Sequence, residues 1–262
     1  MEFNTNIHDL LPPRKFKVDL VGMKLPNNKD IFFRAKQQEI IEQYEAARSF
    51  LHETDTDDWE HWFTSDEKHQ PIFELIFTSH FFESALIFYN IVVDLSWTLC
   101  YVSAEYVVYE KDQTINFAGM LPIEDAYKAL RKAENIVTNP HSQDNPFEYL
   151  KKMCPEFGPA IDLIIDFWKV FSDSNIRGLY NFIKHKGKPN FDEIEAFRQG
   201  KIMGMKIEGE EYPTDIREVQ RQINLKTSIE ELRSFDDTAL FPYIKTLFQL
   251  LENVIKPSPI IF

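Results

Sequence analysis

Glycine and cysteine are scarce in this chain of 262 residues, which holds 8 of the first and 2 of the second. So few glycines leave little material for the tight turns of a β-rich fold, and the composition favours helix. Cys100 and Cys154 cannot build a disulfide framework, and both lie in apolar helical contexts without metal-like spacing. The chain lacks Cys-x-x-Cys, His-Glu-x-x-His, a phosphate-binding glycine loop and a nucleophile elbow. A di-iron bundle needs Glu-x-x-His on two helices, and no glutamate here is followed three residues later by histidine. The acidic run Asp55, Asp57, Asp58 and Glu60 places Trp59 where a calcium ligand is required, and no glycine follows. His80 and Glu83 stand one helical turn apart and read as a structural pair. The sequence therefore implies neither a metal nor a cofactor.

Positive charge is also short, with 29 lysines and arginines against 42 acidic residues and a net charge of −13. That balance excludes broad nonspecific affinity for nucleic acid, because no overall basic surface exists to release counterions. A local site is still allowed. The start MEFNTNIHDLLPPRKF has no apolar segment behind basic residues, so no secretory signal is expected, and the cysteine usage suits a reducing, cytoplasmic setting. Residues 85–104 are apolar enough to raise the question of a membrane span, yet they carry Asn90 and Asp94. A central aspartate costs about 2.5 to 3.5 kcal/mol on insertion scales, so the expectation is a buried core helix and no membrane.

What is present is apolar bulk: 44% hydrophobic and 14% aromatic residues, the mark of a packed globular chain. Residues 1–30 mix proline with a short alternating run and predict an extended N-terminal arm, and 31–262 predict a helical bundle domain. Asp30 reads as the N-cap of a helix carrying Ile40, Ile41, Tyr44 and Ala47 at helical spacing. From residue 72 to 110 the chain predicts one very long central helix, or two joined by a kink, with Glu83, Asn90, Asp94, Trp97, Tyr101 and Glu105 along one side. Those carboxylates are expected to cap or bridge neighbouring helices, or to pair with Arg177. Pro122 opens a further helix, Asn145 and Pro146 start a short one, and 155–172 is amphipathic. A short helix is expected at 191–198, a small β-hairpin around Glu208 and Gly209, a capping box at Ser228 and Glu231, and a closing helix at 239–255.

The segment NIRGLYNFIKHKGKP, residues 175–189, is where chemistry concentrates. At about 100° per residue, Arg177, Asn181 and His185 recur every fourth position with Lys184 beside them, opposite Ile176, Leu179, Tyr180 and Ile183. No acidic residue occurs between Asp173 and Asp192, whereas Arg177, Lys184, Lys186 and Lys188 all do. Lys186 and Lys188 suit a helix C-terminus, where the macrodipole favours cations, but Arg177 is not explained that way. Breaking RNA without a metal needs a base for the 2′-hydroxyl proton, an acid for the leaving oxygen and positive charge on the phosphate. His185 suits the proton transfer, Arg177 the phosphate through its fork of donors, and Asn181 the orienting of either.

Asn181, Phe182, Ile183, Lys184 and His185, followed by Lys186 and Gly187, resemble the Arg-polar-x-x-x-His motif of the HEPN superfamily, all-helical proteins common in prokaryotic defence and toxin systems. Asn181 matches the polar position and His185 the histidine; Tyr180 stands at the arginine position, and Arg177 lies one turn earlier. The resemblance implies an all-α, HEPN-like helical bundle that dimerises through this helix and acts as a metal-independent endoribonuclease. In that reading Arg177, Asn181 and His185 are catalytic, while Lys184, Lys186 and Lys188 contact nucleic acid. A noncatalytic HEPN-like module that binds RNA or nucleotide, or serves as a dimeric partner, uses the same face without turnover. A purely structural interaction protein is the third reading.

Overall fold

The computed structural model describes residues 3–11, 28–55, 70–112, 146–197, 203–207, 210–214 and 221–257. The fold is all-α with two minor two-stranded sheets. A 3-10 turn at Ile7–Leu10 precedes α1 (Asn28–Glu53) and α2 (Gln70–Asp112). After them come α3 (Pro146–Met153), a 3-10 turn at Pro155–Phe157, α4 (Gly158–Phe171) and α5 (Asn175–Lys186). Then follow β1 (Asn190–Phe191), α6 (Asp192–Glu195), β2 (Met203–Ile207), β3 (Glu210–Thr214) and β4 (Gln222–Ile223). α7 (Leu225–Phe235), a π-helical turn at Asp236–Leu240 and α8 (Phe241–Ile255) complete the order. Residues 12–27, which carry most of the expected N-terminal arm, and the helix expected from Pro122 lie outside the described residues.

α1 begins at Asn28, so Asp30 lies within the helix rather than at its cap. Its expected stripe is the buried one: Ile40, Ile41, Tyr44, Ala47 and Leu51 are all sealed. α2 is a single helix of 43 residues, apolar on average and without one distinctly apolar face. It is also a helix long and apolar enough to cross a membrane by length and composition, and within 85–104 it buries Ala85, Leu86, Tyr89, Val92, Val93, Leu99, Cys100 and Ala104. Its buried hydroxyls turn back on their own helix: Ser79 donates to the Ile76 carbonyl at 2.7 Å, Ser96 to Val93 at 2.6 Å and Ser103 to Leu99 at 2.6 Å. Side-chain polarity is thereby spent locally, and α2 sits among apolar neighbours without orphaned donors at those positions.

The chain divides into two compact units. One gathers residues 1–3, 46–90 and 171–236, hence the end of α1, the first half of α2, α5 to α7 and β1 to β4. Its interior joins Phe82 edge-on to Phe191 and stacks Phe171 on Phe235 at 5.3 Å. The other gathers residues 4–45, 91–170 and 237–262, and packs Trp97 edge-on to Trp168 at 4.5 Å and Phe167 flat on Tyr243 at 3.9 Å.

The hairpin forms where the alternation placed it: β2 and β3 pair antiparallel from Met203 opposite Thr214 to Ile207 opposite Glu210. β1 pairs parallel with β4, Asn190 opposite Gln222. A second expectation is corrected. Ser228 does not cap a helix; α7 starts at Leu225, and Asn224 is the cap, its Oδ1 accepting from the Thr227 amide at 2.8 Å. The extra turn is held because Glu193 accepts from the amides of Leu225 and Lys226 at 2.8 and 3.1 Å, so Ser228 lies inside the helix and donates to the Asn224 carbonyl.

Candidate functional site on the fifth helix

α5 is set by its ends. Ser174 caps the start, its hydroxyl accepting from the Arg177 amide at 3.2 Å, and Gly187 ends the helix at φ +112°, a conformation that side-chain-bearing residues avoid. Asn175 is clamped on both atoms of its amide: Nδ2 donates to Glu231 at 2.7 Å and Oδ1 accepts from Arg221 at 2.6 Å. Ile176, Leu179 and Tyr180 are buried, as their spacing requires, and Ile183 is half-buried.

The opposite face is not uniform. Arg177 is half-buried; its Nη1 donates to Asn90 Oδ1 at 3.0 Å, and its guanidinium lies 5.0 Å from the Tyr180 ring centre and 5.7 Å from that of Phe171. Asn90 is itself fully buried and spends its Nδ2 on the Leu86 carbonyl, so its carboxamide is oriented to receive the arginine. Asn181, Lys184, His185 and Lys186 are exposed. Lys184 Nζ stands 5.7 Å from the Tyr180 ring centre. Lys188 forms an ion pair with Glu83 at 3.2 Å.

Arg177 and His185 share the helix but not one spot. Eight residues at 1.5 Å rise separate them by about 12 Å along the axis. The arginine end of the stripe is built into the fold, and the histidine end faces outward with lysines around it. Of the stripe expected on α2, Asn90 meets Arg177 and Glu83 meets Lys188. Spacing placed both residues on that side of α2 without indicating which cation each would receive. Among the described residues no three His, Cys, Asp or Glu side chains gather in a way that would hold a metal ion.

Comparison with protein-family models, with curated proteins and with solved structures returned no match.

Proposed function

We propose that the outer face of α5 contacts a phosphate-bearing ligand, RNA foremost, in a HEPN-like helical protein that acts as a homodimer in the cytoplasm. Asn181, Lys184, His185 and Lys186 are exposed together within a segment free of carboxylates from 174 to 191. The C-terminal end of a helix carries about −0.5 charge, which alone would repel an anion. Two exposed lysines outweigh it.

The observation that carries binding rather than turnover is Arg177. Its hydrogen bond to Asn90 and its place over Tyr180 give it a structural task, at a distance from His185. Metal-independent cleavage is the second reading, favoured by His185 itself, an exposed imidazole one turn from an exposed carboxamide. A mixed RNA pool incubated with the protein and a chelator separates them. Retention of intact RNA that is lost in a Lys184→Ala and Lys186→Ala double variant is the expected result. Cleavage abolished in both Arg177→Ala and His185→Ala would establish the nuclease instead, and cleavage that persists in both would reject this site. Neither binding nor cleavage would reject the whole reading.

A further inference from the structure

Arg177 is the arginine that spacing placed on α5, and its guanidinium is turned toward Asn90. A second guanidinium reaches the same helix from a distant part of the chain. Arg221 is half-buried; its Nη1 lies 3.9 Å from the point where a Cβ on Gly178 would stand, and its Nη2 donates to Asn175 Oδ1 at 2.6 Å. The missing side chain at Gly178 leaves that patch of α5 open for the arginine to lie on. Gly178 and His185 are seven residues apart, which brings them onto one line along the helix to within about 20°. Arg221 therefore rests on the line that leads to the imidazole, with Asn181 close beside it.

Among the described residues the guanidinium of Arg221 has one polar partner, the neutral amide of Asn175, and no carboxylate pairs with it. Glu231 takes the other end of that amide, accepting from Asn175 Nδ2 at 2.7 Å. Asn175 thus stands between the cation and the acid and keeps them from neutralising each other. Charge that is partly withdrawn from water is ordinarily paired, so an arginine held by an amide alone is poised to receive an anion. The donors it has left form the planar fork that suits two oxygens of a phosphate.

We propose that Arg221 is the phosphate-holding guanidinium of the α5 face, and that with Lys184 and Lys186 it lays out a track for successive phosphates of one RNA strand; the inference rests on the phosphate-contact reading of α5. Lys186 stands about 12 Å farther along the helix than Gly178. That is more than a single phosphate group spans, so a strand rather than a mononucleotide engages both ends. Arg221 supplies on this face the cation that Arg177, committed to Asn90, does not.

Fluorescence anisotropy of a labelled single-stranded RNA, titrated with the full chain between about 50 and 200 mM salt, provides the test. The logarithm of affinity falls with the logarithm of salt by about 0.7 for each phosphate neutralised on a single strand, so the slope counts contacts. Arg221→Gln, which keeps an amide donor toward Asn175, makes the slope shallower by about 0.7, and Arg221→Lys keeps the wild-type slope. Gly178→Asp sets a carboxylate beside the guanidinium and produces the same change with the arginine in place. A slope unchanged in both Arg221→Gln and Gly178→Asp overturns the proposal, and so does uridine 5′-monophosphate that displaces the strand at equal concentration. A slope made as shallow by Arg221→Lys as by Arg221→Gln leaves the residue only its bond to Asn175 and overturns it too. Failure of the α5 reading looks different: the wild type then holds no RNA, or the Lys184→Ala and Lys186→Ala double variant holds it at full affinity.

Discussion

The two units bury polarity in different ways. In the unit built on residues 91–170 and 237–262 the interior is aromatic: Trp97 on Trp168, Phe167 on Tyr243, Tyr101 edge-on to Phe147. Two of its buried hydroxyls find each other, Ser96 and Tyr243 standing 2.8 Å apart. Ion pairs such as Arg34 with Glu252 at 2.8 Å keep partial access to water. In the unit built on 1–3, 46–90 and 171–236, both partners of an ion pair are buried. Arg233 is only 6% exposed yet reaches the Leu51 carbonyl at 2.9 Å and the Asp55 carboxylate at 2.7 Å, and Arg48 faces a fully buried Asp236 at 3.5 Å. The Phe3 ring lies 3.7 Å from the Arg48 guanidinium and 5.6 Å from that of Arg233. Buried charge seldom adds stability over an apolar replacement of the same shape, so the second pattern points to a unit shaped by more than packing. That unit also carries α5 and the Glu83–Lys188 pair.

The contrast can be broken first in the aromatic unit. Trp97→Ala removes a large buried ring from its edge-on contact with Trp168, and a loss of about 3 to 5 kcal/mol is expected in chemical denaturation. Arg233→Leu in the other unit leaves the Leu51 carbonyl without that donor but returns Asp55, one-third exposed, to water. A smaller loss of about 2 to 3 kcal/mol is expected there. A loss in Arg233→Leu equal to that in Trp97→Ala would mean that charge and aromatic packing carry the two units alike.

The third test sharpens the contrast through pH. Burial pushes the Cys100 thiol up to about 12, and burial likewise raises the Tyr243 hydroxyl, against a lesser lowering by its hydrogen bond to Ser96. Above the ordinary thiol value of about 9 the unfolded chain loses its proton while the folded one keeps it, so stability falls as pH rises toward 12. The slope is about 1.4 kcal/mol per pH unit for one such group. Cys100→Ala should flatten the decline between pH 9 and 10, leaving the tyrosine to act above that, and thermal melts across this window read the difference.

Elements governed by neighbours in sequence were legible. The α1 stripe, the buried face of α5 and the β2–β3 hairpin all followed from local spacing. Features that join distant segments were not. The cap of α7 was misread at Ser228 because Glu193, 32 residues earlier, extends the helix by a turn, and nothing near Ser228 announces that. The parallel pairing of Asn190 with Gln222 leaves no alternation to read in strands two residues long. At the candidate site the residues of α5 were identified from spacing, yet the burial of Arg177 depends on Asn90, 87 residues away. A cavity lined by His80 and Lys188 is illegible for the same reason: the two come together only through the fold.

Ser96 behaves unlike Ser79 and Ser103, since beyond its own backbone carbonyl it also meets the hydroxyl of Tyr243 on α8. Greasy surfaces slide and swivel past one another at little cost, whereas a directional bond tolerates almost no rotation. Such a bond in an oily seam acts as a key in a shaft: it favours one angular setting of α8 about its long axis and penalises others.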